Sequence, residues 1–265
     1  MDWFINASSV VQALIMSLFT FFVTALGSLI VCFFKEINGK ILSVILGFSG
    51  GVMLAASFWS LLAPAIEQSS KLGYITWLFP MLGFIAGGLF VLFADKFLDR
   101  IIKSRETLRT SGSLKRSILL VGAITIHNIP EGMAIGVAFG GLASGIDSIT
   151  LIGAVMLAVG IGIQNFPEGA AVSLPLRKEG YSRLRSFLYG ALSAIVEPVS
   201  AVIGVILVMQ VRSILPFLLS FAAGAMVSVV SREILPESIG ENKNLATLGL
   251  IFGFVLMMVL DVSLG

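Results

Sequence analysis

Two stretches of the chain repeat one pattern of chemically active residues: IHNIPEG at 126–132 and IQNFPEG at 163–169. His127 and Glu131 are four residues apart, and Gln164 and Glu168 repeat that spacing, so in a helix each pair shares a face. Asn128 and Asn165 stand three residues before their glutamates, on the neighbouring stripe. One imidazole, two carboxylates and several amide oxygens form a donor set for a first-row divalent ion such as Zn2+, Fe2+ or Mn2+. Two glutamates on facing helices could bridge two ions, with Asn128 and Asn165 serving the second. Pro130 and Pro167 lack an N–H and crowd the carbonyl four residues back, which predicts kinked helices with the carbonyls of Ile126 and Ile163 freed. Gly132 and Gly169 then remove side-chain bulk, so that helices approach closely.

The elements that must carry these residues are membrane helices. Of 265 residues 57% are hydrophobic and only 12% charged, with a mean hydropathy of +1.03. Soluble domains hold roughly twice that share of charge, about 25%. Eight apolar runs approach the roughly 20 residues a spanning helix needs: 10–34, 41–63, 77–99, 117–140, 149–174, 186–209, 214–231 and 246–264. The expected fold is therefore an all-α integral membrane protein, one domain of eight transmembrane helices with kinked helices 4 and 5 at its centre. Of the 17 Lys and Arg residues, all but Lys71 and Arg212 fall at or in the connections after helices 1, 3, 5 and 7. By the positive-inside rule those connections face the cytoplasm, and both termini lie outside. The longest connection, 100–116, is polar and basic with Ser-Gly-Ser, and reads as a flexible cytoplasmic linker. A net charge of +2 made of short basic loops gives no nucleic-acid signal.

Glu131, Glu168 and Glu197 fall within spans where no Lys or Arg is near the middle. An unpaired carboxylate in hydrocarbon costs several kcal/mol or more, at least about 2.5–3.5 on insertion scales. Three such acids call for protons or a cation. The alternative is a polar network that locks two kinked helices together with no ligand; the excess of acid, the duplication and the membrane setting weigh against it. Corresponding Pro/Gly-interrupted segments in two spans are also the sequence mark of a transporter binding site.

At HNIPEG and QNFPEG the chain resembles the ZIP (Zrt/Irt-like) family of divalent-metal transporters, most closely its bacterial GufA-like branch. The resemblance extends over essentially the whole chain. It implies a binuclear centre between helices 2, 4, 5 and 6. One ion would take His127, Glu131, Gln164 and Glu168, with Met53 of helix 2 close by. The second would take Asn128, Glu131, Asn165, Glu168 and Glu197. Many relatives carry an acid at the Asn165 position and His at the Gln164 position, so this chain offers the ions less charge. Glu197, beside Pro198 in SAIVEPVSAVIG, repeats the pairing of acid and proline in mirrored order.

Ser57 and Ser60 follow Met53 by one and two turns and, with Glu67, suggest a polar track to the outer mouth, where Asp261 could attract cations. Asp95 and Glu233 end helices 3 and 7 at the cytoplasmic side as exit residues, although Arg232 offers Glu233 an ordinary ion-pair partner. The function expected is uptake of a divalent transition metal, zinc foremost, with Fe2+, Mn2+, Cd2+ and Co2+ also compatible. The ion is the substrate, and no organic cofactor is implied. No G-x-x-x-x-G-K-[ST] motif for ATP occurs. An intramembrane metal-dependent hydrolase is the enzyme alternative, disfavoured by a single histidine where catalytic zinc commonly takes two or three. A passive divalent-cation channel is the third class. Expected partners are the lipid bilayer of the cell membrane and metal ions, with a homodimer as one admissible assembly and no nucleic acid.

Overall fold

In the computed structural model the described residues are 2–34, 38–104, 112–143, 149–240 and 242–264. They form helices and no strands. After a short helical turn at Asp2–Ile5 come α1 (Ser9–Cys32), α2 (Gly39–Lys71), α3 (Leu78–Ser104), α4 (Gly112–Ala143), α5 (Leu151–Lys178), α6 (Arg183–Gln210), α7 (Leu215–Ile239) and α8 (Lys243–Leu264). Among the residues described, α1, α2, α3, α5, α6, α7 and α8 each contain a stretch long and apolar enough to cross a membrane.

Several starts are set by polar caps that accept an otherwise orphaned amide. Ser8 caps α1, Asn38 caps α2, Thr150 caps α5 and Ser182 caps α6. Helices α2 and α5 end in left-handed glycines, Gly73 (φ 72°) and Gly180 (φ 100°). At the first, Tyr74 N–H closes on the Ser69 carbonyl at 3.0 Å, as a Schellman ending requires.

The polar linker expected at 100–116 is helical at both of its ends. Helix α3 continues to Ser104 and α4 begins at Gly112, while residues 105–111 lie outside the described residues. Helix α7 also runs past the expected end at 231, because a π-helical segment at Val230–Ile234 carries it through Arg232 and Glu233. A second π segment, Ser57–Leu62, interrupts α2. Helices α4 and α5 continue without a break through Pro130 and Pro167.

Four helix pairs dominate the packing: α1 on α5, α4 on α6, α2 on α8, and α3 on α7. In each pair glycines face backbone, as at Gly27 on Phe166, Gly136 on Ala201, Gly51 on Leu250 and Gly87 on Phe221. With lipid as apolar as leucine, such close backbone contact supplies the association energy between helices. The pairs α1–α5 and α4–α6 join into one group of four helices, and α2–α8 and α3–α7 into another. The groups meet along a seam where α2 touches α5 and α4 touches α7. Outward faces carry large exposed apolar side chains such as Phe22, Phe93, Phe252 and Val262, the surface that lipid would cover.

Candidate metal centre

Helices α4 and α5 bring the two copies of the repeat together in the interior. One ligand-capable atom from each of His127, Glu131 and Glu168 lies within 4.8 Å of the other two, and all three residues are buried. Tetrahedral zinc with bonds to nitrogen and oxygen of about 2.0–2.2 Å places its donors roughly 3.3–3.6 Å apart. Closure around an ion therefore asks only for small side-chain shifts.

Gln164 completes this cluster. Its Nδ-equivalent amide nitrogen, Nε2, donates to Glu131 Oε1, and its own Oε1 has no partner. His127 Nε2 lies 3.9 Å from Glu168 Oε1, too far for a hydrogen bond, and is likewise unpartnered. Glu131 Oε2, Asn128 Oδ1 and Nδ2, and Asn165 Oδ1 are also buried without partners. Native interiors seldom leave such atoms unpaired, because each forfeits a hydrogen bond worth about 1–3 kcal/mol in desolvation. Apart from the donor Asn128 Nδ2, five unpartnered lone-pair atoms on two adjoining helical turns make up a surface ready for a cation.

Glu197 is held differently. A 3-10 turn at Ser193–Ile195 breaks α6 just before it, since Pro198 has no amide to continue the ladder. Its Oε1 accepts Asn165 Nδ2 at 2.9 Å and its Oε2 accepts Thr20 Oγ1 from α1. The backbone of Glu197 lies against Gly132, where a Cβ would collide with its carbonyl oxygen. Both carboxylate oxygens are thus engaged, although each keeps a second lone pair for an ion.

Two further contacts enter the cluster from the other helix group. Ser49 Oγ of α2 donates to Glu168 Oε1 at 3.3 Å. Glu233 Oε2 of α7 lies 3.4 Å from His127 Nδ1. Arg232, the expected partner of Glu233, turns away and pairs instead with Asp95 Oδ2 of α3, at 3.0 Å from Nη2 and 3.1 Å from Nε. Adjacent residues project about 100° apart around a helix, so the two side chains reach different neighbours; the π segment at Val230–Ile234 carries both.

The remaining residues singled out in the sequence make other contacts. Met53 is fully buried and belongs to the main apolar core. Ser57 Oγ donates back to the Met53 carbonyl at 2.7 Å. Ser60 donates to Asp261 Oδ1 at 2.6 Å, leaving Asp261 Oδ2 unpartnered. Those two line a cavity with Trp59, Pro64, Thr150 and Leu219. Glu67 is exposed and engaged with Lys71 at 2.8 Å, apart from that polar pair. Thr20 and Ser49 did not stand out in the sequence, where hydroxyls in apolar runs are common, as at Ser17, Thr24 and Ser43.

The family described as ZIP Zinc transporter matches the chain over residues 11–113 and 103–261. "Zinc transporter ZIP11" of Homo sapiens is 39% identical over 338 residues, covering 97% of this chain and 98% of that protein. "Zinc transporter GufA" of Myxococcus xanthus is 36% identical over 260 residues, covering 95% of this chain and 98% of that protein. "Zinc transporter ZIPB" of Bordetella bronchiseptica is 36% identical over 257 residues, covering 92% of this chain and 79% of that protein.

Proposed function

Since this chain belongs to the ZIP zinc transporter family, we propose that it carries divalent transition-metal ions, zinc foremost, across the cell membrane into the cytoplasm. The observation that carries this reading is the buried convergence of His127, Glu131 and Glu168 within 4.8 Å. The relatives are named as transporters, so the hydrolase alternative is not favoured.

The ion is the substrate. It leaves its hydration shell for His127 Nε2, the carboxylates of Glu131 and Glu168 and the amide oxygen of Gln164. Its charge offsets the desolvation of two buried carboxylates, which is the reason apolar helices can hold them. A second ion position is formed by Asn128, Glu131, Asn165, Glu168 and Glu197, and is the poorer in charge because Asn165 is neutral. Met53 closes the first position from the α2 side. Glu131 and Glu168 take up protons as the ion departs, since metal and proton compete for the same oxygens.

Helix α4 serves as the eighth span, giving a single transmembrane domain with both termini outside. Asp261 and Ser60 then sit toward the outer mouth, and Asp95 and Glu233 toward the cytoplasm. A shift of one four-helix group against the other along the seam exposes the centre to each side in turn.

The test is uptake of radioactive zinc by proteoliposomes holding the purified protein. Saturable uptake by the wild type and its loss in Glu131→Ala and Glu168→Ala is the expected result. Wild-type rates in Glu131→Ala would remove the proposed centre, and flux that rises linearly with zinc would favour a channel.

A further inference from the structure

We propose that Glu233 is a positioning residue for His127, reaching it across the seam from α7 and fixing which ring nitrogen is free to bind the ion. The inference rests on the reading of His127 as an ion ligand. A carboxylate oxygen can only accept, so the contact of 3.4 Å requires the proton on His127 Nδ1. Nε2 then carries the lone pair, and Nε2 is the nitrogen that faces Glu168 and has no partner of its own. Ligating histidines commonly pass their second N–H to a carboxylate, which sets both ring orientation and tautomer.

The placement of Glu233 is built into the second helix group. In the π segment at Val230–Ile234, Glu233 reaches His127 while Arg232 is tied to Asp95 of α3. Residue 233 is therefore anchored to a body other than the one holding the ligands of α4 and α5. Ser49 of α2 contacts Glu168 from the same body. Across the seam His127 donates one hydrogen bond to Glu233, and Glu168 accepts one from Ser49. When the groups shift, the His127–Glu233 contact parts, the ring loses its fixed tautomer, and the ion is held less tightly. The affinity of the centre is thereby linked to the arrangement of the groups, with Glu233 as the link.

The chain has a single histidine, which makes the proposal directly observable. Protein labelled with 15N-histidine gives one pair of imidazole nitrogen signals. Wild-type protein freed of zinc is expected to carry its proton on Nδ1, with zinc addition shifting Nε2. In Glu233→Ala the proton is expected to move to Nε2 in much of the population, and zinc affinity, read by competition with a chelator dye, to fall about 10–100-fold. Glu233→Gln keeps an acceptor oxygen and should restore the Nδ1–H form and most of the affinity. A wild type with its proton on Nε2, or on both nitrogens, overturns the proposal without any variant having to fold. So does a Glu233→Ala protein with unchanged tautomer and affinity. If zinc leaves the wild-type signals unmoved, the reading of His127 as a ligand fails, whereas the Nδ1 result still decides whether Glu233 holds the ring.

Discussion

Gln164 donates its side-chain amide to Glu131 Oε1, so the residue standing in the histidine position of the second repeat grips the carboxylate of the first. The donated bond orients Glu131 while the other amide atom, Oε1, stays free. An imidazole at 164 would be a stronger zinc donor than an amide oxygen. Gln164→His is therefore expected to bind zinc more tightly and release it more slowly. In proteoliposome uptake both KM and the maximal rate should fall, each by roughly tenfold if the new ligand contributes about 1.4 kcal/mol. A raised KM would show that the amide, and not its oxygen, is what the centre needs.

Asn165 lies at the boundary between one ion and two. Its Nδ2 satisfies Glu197 Oε1 at 2.9 Å, a bond that an aspartate cannot make. Asn165→Asp would set a fourth carboxylate beside Glu131, Glu168 and Glu197 with no new donor. Like charges in a low-dielectric site repel strongly unless a cation intervenes. The variant should hold close to two zinc ions per chain where the wild type holds fewer, and should melt at a lower temperature once chelator removes them. Elemental analysis of the purified protein measures the first outcome and a thermal scan in detergent the second. Unchanged stoichiometry would count against the second ion position.

Close helix contact is expected to matter more than any single cap. A Cβ on Gly132 would meet the carbonyl of Glu197 and the hydroxyl of Ser200, and neither backbone can yield without separating α4 from α6. Gly132→Val should lower the folded yield and the melting temperature severely, beyond the roughly 1–3 kcal/mol usual for overpacking, since backbone rather than side chain must move. Gly73 faces open space, so Gly73→Ala meets only the penalty of its positive φ, about 1 kcal/mol. Size-exclusion profiles of the two variants compare them directly.

The motif pair was readable from sequence because its elements are local. Spacing of four within one helix fixes a shared face, and recurrence in a second span implies that the faces meet. Composition likewise sufficed for an all-helical chain with long apolar helices. Long-range contacts were not readable. Thr20 and Ser49 differ from neighbouring hydroxyls only in what α6 and α5 place against them. Glu233 read as an exit residue because Arg232, Glu233 and Pro236 end the apolar run, and only the tertiary contacts show that Arg232 pairs with Asp95 while Glu233 reaches His127. The hydroxyls of Ser57 and Ser60 take separate partners, the Met53 carbonyl and Asp261, which spacing along one helix does not reveal.

Asp261 offers the last prediction. One of its oxygens accepts Ser60 at 2.6 Å, and the other, buried and unpartnered, belongs to a residue lining the cavity beside Trp59 and Thr150. A carboxylate at a narrow mouth raises the local cation concentration, an effect that salt screens over about 10 Å at 0.1 M. Asp261→Asn leaves the shape and the Ser60 contact nearly intact while removing the charge. Zinc uptake at low concentration and low ionic strength should drop severalfold, whereas the maximal rate stays near wild type. Raising the salt should narrow the gap, because only the wild type has steering to lose. An equal loss at saturating zinc, indifferent to salt, would instead place Asp261 among the groups that the ion must bind in order to cross.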